Sequence, residues 1–299
     1  MRWILAFFAL LFAYVAEAAD TGHFVATEVE STTVGKTRIT VWLPPGYDKA
    51  KARRYPVLYM HDGQNLFDPK RSNMSKVWAA DRAAITLIAA RKIAPFIIVG
   101  VDQPGEARYR TYFPTKVAPG PLRAGIEGFA KGPLIGDAQV AFLADTLKPL
   151  IDRTYRTRPD RLHTAVAGSS MGGLISLYAL AERPDVFGKA AAISTHSILV
   201  DPATAKMMAP LLQQAWQGYL AQSLGAPRGR KLWMDRGTVT LDQHYGPFQD
   251  VIDREIERLG WTRGTAFESK VYEGAGHEED SWAARLPDVL GWLLADWKA

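Results

Sequence analysis

Ser170 stands at the centre of Gly168-Ser169-Ser170-Met171-Gly172, within the stretch AVAGSSMGGLISLYAL at 165–180. A serine hydroxyl attacks a carbonyl only when a base takes its proton, and only if it stands clear of the backbone that carries it. A sharp strand-to-helix turn supplies that clearance: it holds the serine in a strained conformation, and glycines two residues to either side let strand and helix pass closely. LHTAVA before the turn reads as an apolar strand and LISLYALAERP after it as an amphipathic helix ending before Pro184. This setting favours a nucleophile at Ser170 over a structural small-residue turn. The same turn directs the N–H of Met171, at the start of the helix, toward a developing oxyanion.

A serine nucleophile needs a base, and the chain has six histidines. His277 lies in GAGHEEDSW, a glycine-rich loop between the last apolar run and a terminal helix, from which an imidazole can reach back over the sheet edge. His61 reads as a structural strand-end residue, His196 as a candidate for the pocket wall, and His23, His163 and His244 as solvated or packing residues. A carboxylate should orient His277 and stabilise its cationic form. The run DRGTVTLDQHY at 235–245 offers Asp242, out in a loop with the longer reach, and Asp235 as the alternative at a strand end. A second oxyanion donor is expected from the N–H of Gly63 or Gln64 in HDGQNLFD (61–68), a run that also reads as an ordinary turn. HDGQN, DQH and HEED contain oxygen and nitrogen ligands, but none has the spacing of a metal site, so neither metal nor cofactor is expected.

These residues need a frame. Opening strands at 24–30 and 36–43 are followed by apolar runs at 56–61, 95–101, 162–168, 189–194, 231–235 and 266–272, with helical patterns between them. That alternation predicts an α/β fold, a mostly parallel central sheet with helices on both faces. Val140, Leu143, Leu147, Leu150 and Ile151 recur at helical spacing. Two stretches interrupt the rhythm. Residues 102–136 are rich in Gly, Pro and Arg and read as a long functional loop or cap; 195–230 are a second, partly helical insertion. In an open α/β sheet ligands sit at the carboxyl ends of the strands, so both excursions are expected to wall one crevice. Arg108, Tyr109, Arg110 and Tyr112 are open to two readings, contacts to an anionic or aromatic substrate or a solvated loop; Arg110 and His196 are the pocket candidates.

At 299 residues and 47% hydrophobic content, one large domain over 19–299 is expected. The net charge of +5 is spread among acids with no run of five like charges, which argues against a nucleic-acid binder. Arg2, the apolar stretch 3–15 and Ala16-Glu17-Ala18 have the form of a secretory signal peptide over 1–18, too short to remain as a bilayer anchor. The mature chain is therefore expected in the periplasm or outside the cell. With no cysteine it has neither a lipid-attachment site nor a disulfide.

VWLPPGYD (41–48), YMHDGQNLFDP (59–69), FLADTLKPLIDRTYRTRPDR (142–161), AGSSMGGLISLYALAERPDVFGKAAAIS (167–194), MDRGTVTLDQHY (234–245) and GHEEDSWAARL (276–286) together resemble the esterase D and enterochelin-esterase-like family of the α/β-hydrolases. That group includes S-formylglutathione hydrolases, siderophore esterases, and secreted feruloyl and acetyl-xylan esterases. The resemblance runs from about residue 34 to the C-terminus. It implies an α/β-hydrolase fold, Ser170 as nucleophile, His277 as base, an acid in the loop that holds Asp242, and an oxyanion hole from HDGQN and Met171. The chain order Ser, Asp, His matches this superfamily. Relatives often carry Ser-Pro-Ser and an aromatic after the strand that follows the turn, where this chain has Ser194-Thr195-His196-Ser197-Ile198. The expected function is a serine carboxylic-ester hydrolase acting through an acyl-enzyme on a siderophore-type ester or an acylated carbohydrate. An acyltransferase on the same triad and a non-catalytic binding protein on the same fold are the alternatives.

Overall fold

The computed structural model describes residues 20–118 and 120–298. The apolar runs form eight strands of one sheet: β1 (His23–Ser31), β2 (Gly35–Leu43), β3 (Val57–His61), β4 (Ile97–Val101), β5 (Thr164–Ser169), β6 (Lys189–Ile193), β7 (Lys231–Arg236) and β8 (Phe267–Val271). Their order across the sheet is β1-β2-β4-β3-β5-β6-β7-β8. β1 and β2 form a hairpin, β2 meets β4 antiparallel, and every later pairing is parallel. The five-residue runs VLYMH, IIVGV and KAAAI are buried throughout, because a parallel strand is covered on both faces. β1 is largely exposed, as suits an edge.

The helices are α1 (Ala80–Ala89), α2 (Arg108–Tyr112), α3 (Gly120–Phe129), α4 (Gly136–Ala141), α5 (Lys148–Thr154), α6 (Met171–Glu182), α7 (Pro202–Met207), α8 (Ala209–Ser223), α9 (Gly246–Arg258) and α10 (Glu279–Leu293). A π-helical segment, Phe142–Leu147, joins α4 to α5. One sheet face presents Leu58, Met60, Ile98, Ala167 and Trp233 to α1 and α10. The other presents Val57, Tyr59, Val99, Val166 and Met234 to α4, α5, α6, α8 and α9. The chain has the α/β-hydrolase architecture, a mostly parallel sheet with helices on both faces.

One expectation needs correction. The helix after the turn is not amphipathic: α6 is buried from Met171 to Ala181, because α4 and α8 cover the side turned from the sheet, and a helix so enclosed is apolar all round. The stretch 102–136, read as a loop or cap, carries α2 and α3, and 195–230, read as partly helical, carries α7 and α8. The two excursions meet where the Tyr109 hydroxyl donates to the Leu199 carbonyl at 2.6 Å. The expected signal peptide at 1–18 lies outside the described residues. Among the described residues no helix is long and apolar enough to cross a membrane.

Candidate active site

Ser170 sits between β5 and α6 with φ 56° and ψ −121°. A non-glycine residue in such a region costs on the order of 1–3 kcal/mol and persists only where its surroundings fix it. Here its N–H donates to Ile193 O at 2.9 Å, and its carbonyl accepts from Leu174 N (3.1 Å) and His196 N (3.2 Å). The turn closes tightly: a Cβ on Gly168 would lie 2.7 Å from the backbone of Gly172, so β5 and α6 approach each other only because no side chain intervenes.

The loops after β7 and β8 are knitted together. Thr238 N donates to Ala275 O (3.1 Å), Gly274 N to the Thr238 hydroxyl (2.9 Å), and His277 N to the Thr240 hydroxyl (2.7 Å). At the closest approach, a Cβ on Gly237 would stand 2.0 Å from Ala275 O. This seam brings His277 Nδ1 within 2.6 Å of Asp242 Oδ1. The other carboxylate oxygen of Asp242 accepts from Gly237 N at 2.6 Å and from the Ser194 hydroxyl. Burial pushes the Asp242 carboxyl up, but the hydrogen bonds from His277, Ser194 and Gly237 outweigh it and hold the group below its ordinary range.

Asp235, the alternative acid, has other partners. It accepts from Trp233 Nε1 at 2.7 Å and Ser194 N at 3.1 Å, and it pairs with Arg285 of α10 at 3.0 Å. Arg285 also donates to the Ser194 hydroxyl and stands 3.9 Å from Asp242. Asp235, Asp242 and Arg285 are all buried, so two carboxylates and a guanidinium share one dry cluster beneath His277. No local pattern marks Arg285 in the sequence; it lies two turns along the terminal helix, on the face that meets the sheet.

Ser170 and His277 line one cavity of about 190 Å³. Asp62, Asn65, Arg108, Glu279 and Trp282 share its wall, which makes it strongly polar. Arg108 forks onto Asp62 with two hydrogen bonds of 2.7 Å. Burial opposes the Arg108 charge, but Asp62 more than restores it and raises its pKa. Asn65 Nδ2 donates to Glu279 at 3.2 Å, and burial raises the Glu279 carboxyl above its usual range. Trp282 packs edge-on against His277 at 5.1 Å and Tyr245 does so at 5.6 Å, bracketing the imidazole.

The other expected residues fall as follows. Met171 opens α6, with its N–H at the helix start. Gly63 is pressed against β4, where a Cβ would meet Gly100 at 2.6 Å, and Gln64 Oε1 accepts from Gln103 N at 3.1 Å; of this turn it is Asp62 that reaches the cavity wall. His196 Nδ1 lies 2.9 Å from the Tyr245 hydroxyl, which is itself within hydrogen-bonding reach of the Ser170 side chain. Burial, then the His277 and Arg108 charges, push the His196 imidazole down to about 3. His61 is buried edge-on against Tyr112 and burial pushes it down to about 4. His163 pairs with Asp160, His23 with Asp48, and His244 is exposed. Arg110 corrects the pocket expectation: its guanidinium lies against Gly132, and Arg108 takes the place at the cavity. The two are about 200° apart around α2, so one helix cannot present both.

Comparison with known proteins places this geometry in context. The chain is 21% identical over 270 residues to the uncharacterized protein YbbA of Bacillus subtilis, with 87% of this chain and 93% of that protein covered. It is 31% identical over 181 residues to an endo-1,4-beta-xylanase/feruloyl esterase of Xylanibacter ruminicola, a match that takes in 58% of this chain and 22% of that protein. Among solved structures it shares its fold with an IroE-like serine hydrolase of Shewanella oneidensis (TM-score 0.66, 21% identity, 93% and 82% covered). A ferulic acid esterase (TM-score 0.63, 19%, 91% and 98%) and the enterobactin esterase Fes of Shigella flexneri (TM-score 0.63, 14%, 91% and 59%) have the same fold. The family model described as "Putative esterase" matches residues 31–293, almost the whole sheet and both excursions, and the chain therefore belongs to this esterase family, as a carboxylic ester hydrolase.

Proposed function

We propose that the enzyme hydrolyses its ester through Ser170, His277 and Asp242. The observation that carries this reading is the 2.6 Å contact of His277 Nδ1 with a buried carboxylate, on an imidazole that shares a cavity with the strained Ser170. With Asp242 holding Nδ1–H, the Nε2 atom is the basic one. It takes the Ser170 proton as the oxygen attacks the ester carbonyl. The Met171 N–H, together with an N–H of the turn that holds Gly63 and Gln64, stabilises the oxyanion. His277 then gives its proton to the leaving alcohol, and the acyl group stays on Ser170. Water activated by the same imidazole attacks the acyl-enzyme, the acid leaves and Ser170 regains its proton.

The alcohol is read as a carbohydrate. Asp62, Asn65, Asn73 and Glu279 around His277 offer acceptors and donors suited to hydroxyl groups. The relative named as an endo-1,4-beta-xylanase/feruloyl esterase supports an acylated carbohydrate, and the enterobactin esterase among the fold neighbours keeps a siderophore-type ester as the second reading. The amino-terminal sequence at 1–18 supports work in the periplasm or outside the cell.

Ser170→Ala should fold with an unchanged melting temperature, lose turnover of p-nitrophenyl esters and of feruloylated or acetylated xylan fragments, and escape labelling by a fluorophosphonate. Turnover or labelling retained by that variant sinks the assignment.

A further inference from the structure

A second cavity lies beyond His196. It encloses about 600 Å³ and is walled by both excursions: Tyr109, Leu122 and Ile126 from the first, Val200 and Met208 from the second, closed by Leu241 of the loop that carries Asp242. Its inner wall is His196, whose N–H donates to the carbonyl of Ser170 and whose ring is bonded to Tyr245. Two chambers of opposite character thus lie near the nucleophile. The small one, polar and lined by both Ser170 and His277, is where the leaving alcohol must receive its proton. The large one is apolar and lined by neither of them, and His196 is the residue that joins it to Ser170.

We infer that this cavity binds the acyl half of the ester and selects neutral, apolar acyl groups larger than acetyl. The inference rests on the reading of Ser170 as nucleophile. Its electrostatics support the choice. The ionisable side chains facing the cavity are Tyr109, His196 and Asp201. Tyr109 donates to Leu199 O, and burial pushes its phenol up to about 12, so it stays neutral. His196 stays unprotonated. Asp201 caps α7 through Ala203 N and Thr204 N, both at 3.0 Å, and is anionic. Arg108, whose charge reaches His196, is paired with Asp62. An acyl group ending in a carboxylate, or a catecholate, would meet the Asp201 carboxylate and no cation among the residues that line the cavity. An alkyl or neutral aryl acyl group would exchange water for Leu122, Ile126, Val200, Met208 and Leu241.

The test compares kcat/KM for p-nitrophenyl acetate, p-nitrophenyl octanoate and the anionic mono-p-nitrophenyl succinate. Each methylene moved from water into an apolar wall is worth up to about fourfold. Octanoate should exceed acetate by about tenfold or more, and succinate should fall below a neutral acyl group of the same length. Ile126→Trp in α3 and Leu241→Trp on the opposite wall fill the space from independent elements. Either should cut the octanoate-to-acetate ratio by about tenfold, so misfolding of one does not decide the matter. A flat chain-length profile, a preference for succinate, or an unchanged ratio in both tryptophan variants overturns the inference. Calorimetric binding of p-nitrophenyl octanoate to the Ser170→Ala protein, weakened by Ile126→Trp, keeps the cavity's role separate from the nucleophile's. Absence of that binding removes the acyl site whatever the turnover shows.

Discussion

At the scale of the residue, Asp235 and Asp242 are equally buried but have unlike partners, and their asparagine variants should fail in unlike ways. Asp242→Asn keeps the shape of the loop but replaces the acceptor at His277 Nδ1, which favours the wrong tautomer. In serine enzymes that loss is worth about 10⁴-fold in kcat. Asp235→Asn instead leaves the Arg285 guanidinium buried without its closest counter-charge, a defect of roughly 3–5 kcal/mol in stability. Activity assays at a temperature where both variants are folded, set beside their melting curves, should show kcat collapsing in the first and the melting temperature in the second. The opposite pattern would make Asp235 the partner of the base. Arg285 was not legible in the sequence, because it pairs with a strand end fifty residues earlier and only the packing of α10 on the sheet brings them together. The choice between Arg108 and Arg110 was hidden for a smaller reason, the phase of a five-residue helix inside a stretch that composition marks as irregular.

At the scale of the element, the contact of His277 with Asp242 depends on a seam between two loops rather than on either loop alone. Gly237→Ala should therefore wedge a methyl group against Ala275 O, part the seam, and separate His277 from Asp242. A destabilisation of about 1–3 kcal/mol is expected, with a fall in kcat beyond what unfolding explains. Gly35→Ala is the control: Gly35 has φ 77° in the β1–β2 turn with open space around it, so alanine there carries backbone strain and leaves turnover intact. Equal activity in the two variants would argue against the seam. The central strands were legible because a buried parallel strand must be apolar on both faces, and VLYMH, PFIIVGV and KAAAIS are. The strand–turn–helix around Ser170 was legible for the same reason, joined to its glycines. What periodicity could not give was the enclosure of α6, since LISLYALA reads alike whether one side or both are covered.

At the scale of the molecule, two buried imidazoles tie stability to pH. His61 and His196 titrate in the fold at about 4 and about 3, below the ordinary 6.5 of the unfolded chain. Above pH 6.5 neither state holds a proton on these rings and their contribution is complete. As pH falls below 6.5 the unfolded rings take protons that the folded ones refuse, so stability drops until the folded values are reached. His61 alone accounts for roughly 3 kcal/mol across that window. Melting temperatures should decline steadily from pH 7 to pH 4.5, and His61→Phe should flatten the slope; a slope unchanged in that variant would place the acid sensitivity elsewhere. The ionised Asp242 adds its own loss only at lower pH, where its depressed carboxyl begins to protonate.

The fork between Arg108 and Asp62 joins α2, in the first excursion, to the turn at the end of β3. Swinging that helix aside would strand a carboxylate that is itself buried. Any opening of this wall must first part a partly buried ion pair, which favours a cleft already formed when the ester arrives.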